Sequence, residues 1–310
     1  MSDLMMQVIK VQDYGGADLL KLETAPRPVP QAEQVLVRMF AAGVHPADWK
    51  YRSGIYKARM PLTFPWTPGL DGSGVIEAVG PGVTAFKPGQ AVYGRISASY
   101  AEYALAPAAD LVPKPANLSF DQAGAVPVGA LTAWGVVVDG ADIQPGQRVL
   151  VQGAAGGVGL FVVQLARWKG AHVIGSTSTH NLEFVRSLGA EQVIDYNALR
   201  FEDVLHDLDA VIDIVGGDLL ERSMKVLRRD GVFITVAAQA NPELGLPYGV
   251  RMMRGGRTPV GTLAQISELL ATKKIWPVVG AIFPLAQVRQ AHELSQTGHG
   301  RGRIILHVAD

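Results

Sequence analysis

Residues 147–170 read QRVLVQGAAGGVGLFVVQLARWKG: a strand, a glycine-rich turn and a helix in succession. Residues 148–152 are a short apolar run with β-branched character, of the kind buried in a parallel sheet. Gly153-Ala154-Ala155-Gly156-Gly157-Val158-Gly159 follows at once, and 160–168 then carries apolar residues on a helical period, stopped by Lys169 and Gly170. Glycine serves three separable ends in such a turn. The chain must leave the strand sharply, a backbone N–H must approach a pyrophosphate, and the new helix must pack closely on the sheet with its N-terminus aimed at the anion. Read as G-x-G-x-x-G, the motif puts Ala154 in the first glycine position, then Gly156 and Gly159. Such a variant is weak by itself, and a turn that binds nothing is the plain alternative. The strand before it and the helix after it are the context that favours dinucleotide binding, with Ala155, Gly156, Gly157, Val158 and Gly159 around the phosphates.

Which dinucleotide is read about 20 residues on, at the end of the next strand. That strand is 171–175, followed by Ser176-Thr177-Ser178-Thr179-His180-Asn181. An NAD site wants an acid there for the ribose 2′-hydroxyl. None occurs between Gly170 and Leu182; Glu183 is the first. Ser176, Thr177, Ser178 and His180 suit a 2′-phosphate instead, so NADPH is expected over NADH, with an ordinary polar turn as the other reading of 176–179.

Outward from this stretch, βα units repeat. Strands are expected at 192–196, 210–215 and 231–237, and helices at 181–188, 201–208 and 219–227. This alternation predicts a doubly wound parallel sheet. Upstream, a helix starts at Ser119 and an apolar helical stretch runs over 123–140, interrupted by Pro127. Downstream, 238–262 has no clear pattern, 262–272 and 286–295 read as helices, and 302–308 as a closing strand. Residues 1–120 differ: short β-type runs at 7–11, 35–41, 74–79, 91–94 and 100–105 are parted by Pro- and Gly-rich turns, which predicts a β-rich, barrel-like domain.

The 310 residues, 48% of them hydrophobic, suffice for two domains with real cores. Formal net charge is +0 with no block of like charge, so neither a nucleic-acid partner nor an anionic membrane surface is expected. With no cysteine there are no disulfides, thiolate nucleophiles or cysteine-ligated zinc. The N-terminal MSDLMMQVIKVQDYGG lacks the basic and apolar regions of a secretory leader, and no apolar run is long enough for a membrane span. A cytoplasmic location is expected.

Several ordered motifs then carry a family likeness: Ala41-Ala42-Gly43-Val44-His45-Pro46-Ala47-Asp48 with Arg52-Ser53-Gly54; Pro68-Gly69-Leu70-Asp71-Gly72-Ser73-Gly74; Gly129-Ala130-Leu131-Thr132-Ala133; the glycine turn; Ser187-Leu188-Gly189-Ala190 with Val193-Ile194-Asp195-Tyr196; and Gly300-Arg301-Gly302-Arg303-Ile304. Over nearly its whole length the chain resembles the zinc-free, quinone-oxidoreductase-like (zeta-crystallin-like) branch of the medium-chain dehydrogenase/reductase superfamily. The resemblance implies an α/β architecture, a GroES-like β-rich domain (1–120, completed by 276–310) plus a Rossmann domain with a doubly wound parallel sheet (121–275), and an active site in the cleft between them. Zinc-dependent relatives have Cys where His45 stands, His where Leu70 stands and Cys near Val128. Only His45 is able to coordinate, and a catalytic site needs three protein ligands, so no metal is expected.

The implied chemistry is zinc-independent, NADPH-dependent reduction of quinones or of α,β-unsaturated carbonyls. The cofactor supplies hydride, and the protein supplies orientation, a dry site and a donor to the developing oxyanion. His45 stands where this branch usually has Asn. It is either a hydrogen-bond or proton donor to substrate, or a ring filling the Asn space. Asp48 is either its orienter or a helix-start residue. Tyr56 matches a pocket tyrosine; Tyr51 matches nothing. Thr132 matches a position near the nicotinamide, and Tyr196 one beside the adenosine end, with a core aromatic as its alternative. Gly216, Ala237 and Ala238 sit at strand ends where such ligands bind, and Ser178 is the leading 2′-phosphate residue. Arg254 and Arg257 read as solvated loop cations. A homodimer is expected, with 232–238 as a candidate edge strand. Two other readings stay open: an enoyl-thioester reductase, for which no basic patch is visible, and an NADPH-binding protein without turnover.

Overall fold

The structure is a computed structural model describing residues 4–237, 239–255 and 258–309. The chain divides into two compact units, Met1–Val128 with Val260–Ala271 and Pro277–Asp310, and Gly129–Pro259 with Thr272–Trp276.

The second unit is built on six strands. In spatial order they are Gln192–Asp195, His172–Thr177, Arg148–Gln152, Leu208–Asp213, Leu227–Thr235 and Arg251–Arg254. Counted along the chain this is the order 3-2-1-4-5-6, and every neighbouring pair is parallel. The order reverses between Arg148–Gln152 and Leu208–Asp213, the switch point at which doubly wound sheets bind ligands. Val149, Leu150 and Val151 are fully buried, as a central parallel strand requires. Helix Gly159–Trp168 buries every residue from its start to Ala166.

Departures from the sequence reading have local causes. Apolar residues at 201, 205 and 208 mimic a helix, yet only one 3-10 turn forms, Phe201–Asp203. Asp207 adopts φ 55°, and Leu208 begins the next strand; so short a segment cannot sustain a helix against that strand. The stretch 123–140 is two helices, Phe120–Gly124 and Pro127–Val137, because Pro127 suits a helix's first turn and not its middle. Part of the unpatterned 238–262 is ordered as a 3-10 run, Pro242–Tyr248, and strand Arg251–Arg254. This corrects the edge-strand expectation: 232–235 lies in Leu227–Thr235, flanked on both sides, and Arg251–Arg254 is the edge.

The first unit carries a seven-stranded sheet. Its path runs Val279–Pro284, Arg303–His307, Gln34–Val44, Asp71–Val79, Ala91–Arg95 and Leu111–Pro113, with Tyr103–Pro107 also paired to Gln34–Val44. Met5–Lys10 and Lys21–Pro26 pair as a separate antiparallel ribbon. Lys21–Pro26 and Val279–Pro284 were not apparent in the sequence; each exposes alternate or most residues and so lacks an apolar run. Helix Thr262–Ala271 belongs to this unit, held by Tyr93 Oη to Ser267 Oγ at 3.1 Å and Asn117 Nδ2 to the Leu270 carbonyl at 3.1 Å. Register does the decisive work here. Ile304 faces Val44 and Ala42 faces Gly72, so the next residues, Arg303, His45 and Asp71, end three adjacent strands beside one another. Among the described residues no helix is long and apolar enough to cross a membrane.

Candidate functional site

The glycine turn closes the central strand of the second unit, and its glycines do different work. Gly153 takes φ 76° and makes the sharp exit, one residue earlier than the motif register implied. A Cβ on Gly159 would lie 2.1 Å from the Gly153 carbonyl oxygen and 2.9 Å from Ala154 Cα, so the helix approaches the turn as closely as backbone allows. A Cβ on Gly156 would meet only the Gly153 oxygen, at 3.4 Å, leaving this side of the turn open. Gly129, in helix Pro127–Val137, abuts the same turn: a Cβ there would come within 2.7 Å of the Gly157 oxygen. Helix Gly159–Trp168 begins at this point, where orphan N–H groups and the positive dipole end suit an anion. The turn therefore fits a dinucleotide pyrophosphate.

The second strand delivers 176–180 to the same edge. Ser176 and Thr177 are buried, in register with Gln152 and Asp195 respectively. Ser178 is partly exposed and accepts from Asn181 Nδ2 at 3.1 Å; His180 is exposed. Tyr196, 51% exposed, donates its backbone N–H to Thr177 O at 3.1 Å, so it rises beside 177–179 and is not a core aromatic. On the far side of the switch point, buried Asp213 accepts from Val215 and Gly216 N–H through Oδ1 and from Thr235 Oγ1 through Oδ2. These bonds hold Gly216 and Gly217 at φ 79° and 77°. Ala237 donates to Thr235 Oγ1 at 3.1 Å and packs its methyl over Gly216. Asp213 and Thr235 were missed in the sequence, where they read as interior residues of strands 210–215 and 231–237. Ala238 and Arg257 lie outside the described residues; Arg254 is exposed at the end of the edge strand. Thr132 is half-buried within helix Pro127–Val137.

In the first unit, His45 is not an exposed side chain: it is 2% accessible and lies in a buried polar cluster. Its Nε2 is 2.7 Å from Asp71 Oδ1, and Arg303 Nη2 is 2.9 Å from its Nδ1 and 3.3 Å from its Nε2. Arginine only donates, so Nδ1 accepts from Arg303 and Nε2–H donates to Asp71. Asp71 Oδ2 accepts Val128 N–H at 2.8 Å and lies 3.8 Å from Arg303 Nη2. Burial pushes the Asp71 carboxyl up, but the His45 ring, its hydrogen bond, Arg303 and Val128 N–H outweigh it and hold it below the usual range. Burial lowers the Arg303 guanidinium against the pull of Asp71.

Of the two readings for Asp48, the geometry supports helix start. Its Oδ2 accepts His45 backbone N–H at 2.8 Å in a capping box and Tyr100 Oη–H at 3.0 Å. Burial raises this carboxyl, with the His45 ring and these bonds opposing. His292, fully buried beside the Tyr100 ring, has its pKa lowered to about 3, first by burial and then by Arg52 and His45. Tyr56 is half-buried and meets Tyr51 edge-on at 5.2 Å, while Tyr51 Oη donates to Met60 Sδ at 3.3 Å. Asp71 and Arg303 escaped the sequence reading as site residues because their partners lie 26 and 258 positions away from them.

A six-stranded 3-2-1-4-5-6 sheet with this turn, in a chain that also has a strand-rich unit, is the architecture of nicotinamide-dependent dehydrogenases and reductases. The description "Alcohol dehydrogenase GroES-like domain" matches residues 31–116, and "Zinc-binding dehydrogenase" matches 188–306. The chain is 33% identical to a quinone oxidoreductase of Mus musculus, across 97% of this chain and 98% of the relative. It is 33% identical to an Arabidopsis thaliana chloroplastic NADPH-dependent alkenal/one oxidoreductase, across 95% and 78%. The solved quinone oxidoreductase of Coxiella burnetii superposes with a TM-score of 0.90 at 31% identity, across 99% and 100%. The chain therefore belongs to the quinone-oxidoreductase-like branch of the medium-chain dehydrogenase/reductase superfamily, and is an oxidoreductase with GroES-like and Rossmann-like parts.

The residues at the positions where the family resemblance places zinc ligands do not fit the zinc named in the second description. His45 has both ring nitrogens engaged, Leu70 is apolar, and Val128, near the third position, has an apolar side chain and gives its N–H to Asp71. Among the described residues no group of three or more His, Cys, Asp or Glu is arranged to hold a metal ion.

Proposed function

We propose that this chain is an NADPH-dependent, zinc-independent reductase of quinones or α,β-unsaturated carbonyls. The observation that carries the cofactor choice is the second strand's carboxyl end, where Ser178, Thr179 and His180 stand in place of an acid. Relatives that act on quinones and on alkenals and enones support the substrate class. When bound, the reduced nicotinamide supplies a hydride to the substrate.

The chain's own residues do the rest. The 155–159 turn and the following helix hold the pyrophosphate by backbone N–H groups. Ser178 and His180 take the 2′-phosphate, and Tyr196 covers the adenosine end. Gly216, kept in shape by Asp213, and Ala237 line the nicotinamide half together with Thr132. His45 has no ring nitrogen to spare, which supports the space-filling role and leaves the product's proton to come from water. Tyr56 lines the substrate side and offers its hydroxyl to the developing oxyanion. A cytoplasmic homodimer, paired through the Arg251–Arg254 edge, completes the proposal.

The test is loss of reduced-nicotinamide absorbance by purified protein, with benzoquinone, phenanthrenequinone and an α,β-unsaturated ketone offered separately, each repeated with NADH and with a chelator. Turnover with NADPH preferred and no chelator effect is expected. Measurable NADPH binding without any turnover would overturn the enzymatic assignment. Light scattering at micromolar protein tests the dimer; a monomer mass refutes it.

A further inference from the structure

We propose that the Arg303 guanidinium is the resident cation of the His45–Asp71 pair and thereby closes this cluster to any metal ion. The inference rests on the zinc-independent reading above and goes further, naming the group that enforces it.

The geometry is that of a filled cation site. Three strand ends bring one imidazole, one carboxylate and one guanidinium together, each 3% accessible or less. Arg303 Nη2 approaches the imidazole at 2.9 Å and the carboxylate at 3.8 Å, while the imidazole's other nitrogen is tied to the same carboxylate at 2.7 Å. A metal needs the imidazole lone pair. Here that lone pair is directed to Arg303, and the opposite nitrogen must keep its proton to reach Asp71. The guanidinium offsets the Asp71 carboxylate, as a divalent ion would in part.

The three groups crowd one backbone position. A Cβ built on Gly43 would lie 2.9 Å from His45 Nε2 and 3.2 Å from Arg303 Nη2, and closer still to Asp71 Oδ1. Gly43 is therefore the floor against which all three groups are pressed. An ion could enter only if Arg303 left, and Arg303 sits in strand Arg303–His307, fixed by its pairing to both neighbours.

The experiment adds the donor that the site lacks and then removes the cation. Leu70→His supplies an imidazole next to Asp71; Leu70→His combined with Arg303→Met also vacates the guanidinium. Each full-length variant is titrated with Co²⁺ and followed by its visible ligand-field bands, with circular dichroism to confirm folding. No band is expected for the wild type or for Leu70→His, and one Co²⁺ per chain is expected for the double variant. A band in Leu70→His, or none in a folded double variant, overturns the proposal.

A second arm is independent of variants that fail to fold. In the wild type, ¹H–¹⁵N NMR should show His45 protonated at Nε2 and accepting at Nδ1, unchanged by excess Zn²⁺. The opposite tautomer, or a Zn²⁺-dependent shift, overturns it. The two readings fail separately. Chelator-sensitive quinone turnover sinks the zinc-independent function, whereas metal binding at His45 in a chelator-insensitive enzyme sinks only this inference.

Discussion

The glycine turn of the second unit and the His45 cluster of the first are both built at strand ends, but from opposite materials. The turn is backbone: seven consecutive residues, four of them glycine, open on the Gly156 side. The cluster is side chain: polar groups gathered from positions 45, 71 and 303, closed to solvent and bonded to one another. An open backbone site gains its energy when ligand arrives; a closed charge cluster has already spent its electrostatics on holding the fold. The difference fits the proposal that the first binds the dinucleotide while the second holds the fold.

Substitution should separate the two regions by size of effect. The largest is expected at Asp71. Asp71→Ala strands Arg303 without its buried partner, a loss of about 3–5 kcal/mol in urea unfolding; a melt unchanged from wild type would show the cluster to be dispensable. Gly159→Ala forces a Cβ against the Gly153 carbonyl, and overpacking of this kind costs about 1–3 kcal/mol. NADPH affinity by fluorescence titration should fall at least as much as the melting temperature suggests, whereas Gly156→Ala, facing open space, should disturb binding more than stability.

A third contrast uses pH. His292 has a folded pKa depressed to about 3 from an ordinary 6.5, so its contribution is complete above the ordinary value and is lost as pH falls from there toward 3. The loss is about 1.4 kcal/mol per pH unit within that window. His292→Phe should flatten the stability profile between pH 6 and 4, and parallel profiles for both proteins would remove His292 from the account. The smallest effect belongs to the coenzyme edge. Ser178→Ala should reduce kcat/KM with NADPH by roughly threefold to tenfold, the size of one hydrogen bond, and leave NADH unchanged; equal losses with both would detach Ser178 from the 2′-phosphate.

How much was legible follows the same division. Strand 148–152 and the helix after it were readable almost to the residue, because a buried β-branched run and a 3.6-residue period are local signals. Residues 201–208 misled for the same reason: apolar spacing imitates a helix whether or not the chain has room to form one. Strands Lys21–Pro26 and Arg251–Arg254 carry charges and half-exposed faces at sheet margins, where neighbours and not composition impose extension. Around the site, Gly156, Gly159, Ser178 and Tyr196 were named from motif position, and the structure places all four along the strand-end edge of the second unit. Nothing near His45 in the chain announced Asp71 or Arg303 as its partners.

By itself, then, the sequence determined what rests on short-range physics: alternating strands and helices, the glycine turn, the acid-free second strand, and a chain without cysteine chemistry. Tertiary structure alone decided the fate of His45. Its ring has equal capacity to donate, accept or coordinate, and the choice among them was made by strand register, which sets a carboxylate on one nitrogen and a guanidinium on the other. Register depends on pairings between residues far apart in the chain, and no local pattern encodes which two side chains will finish beside a third.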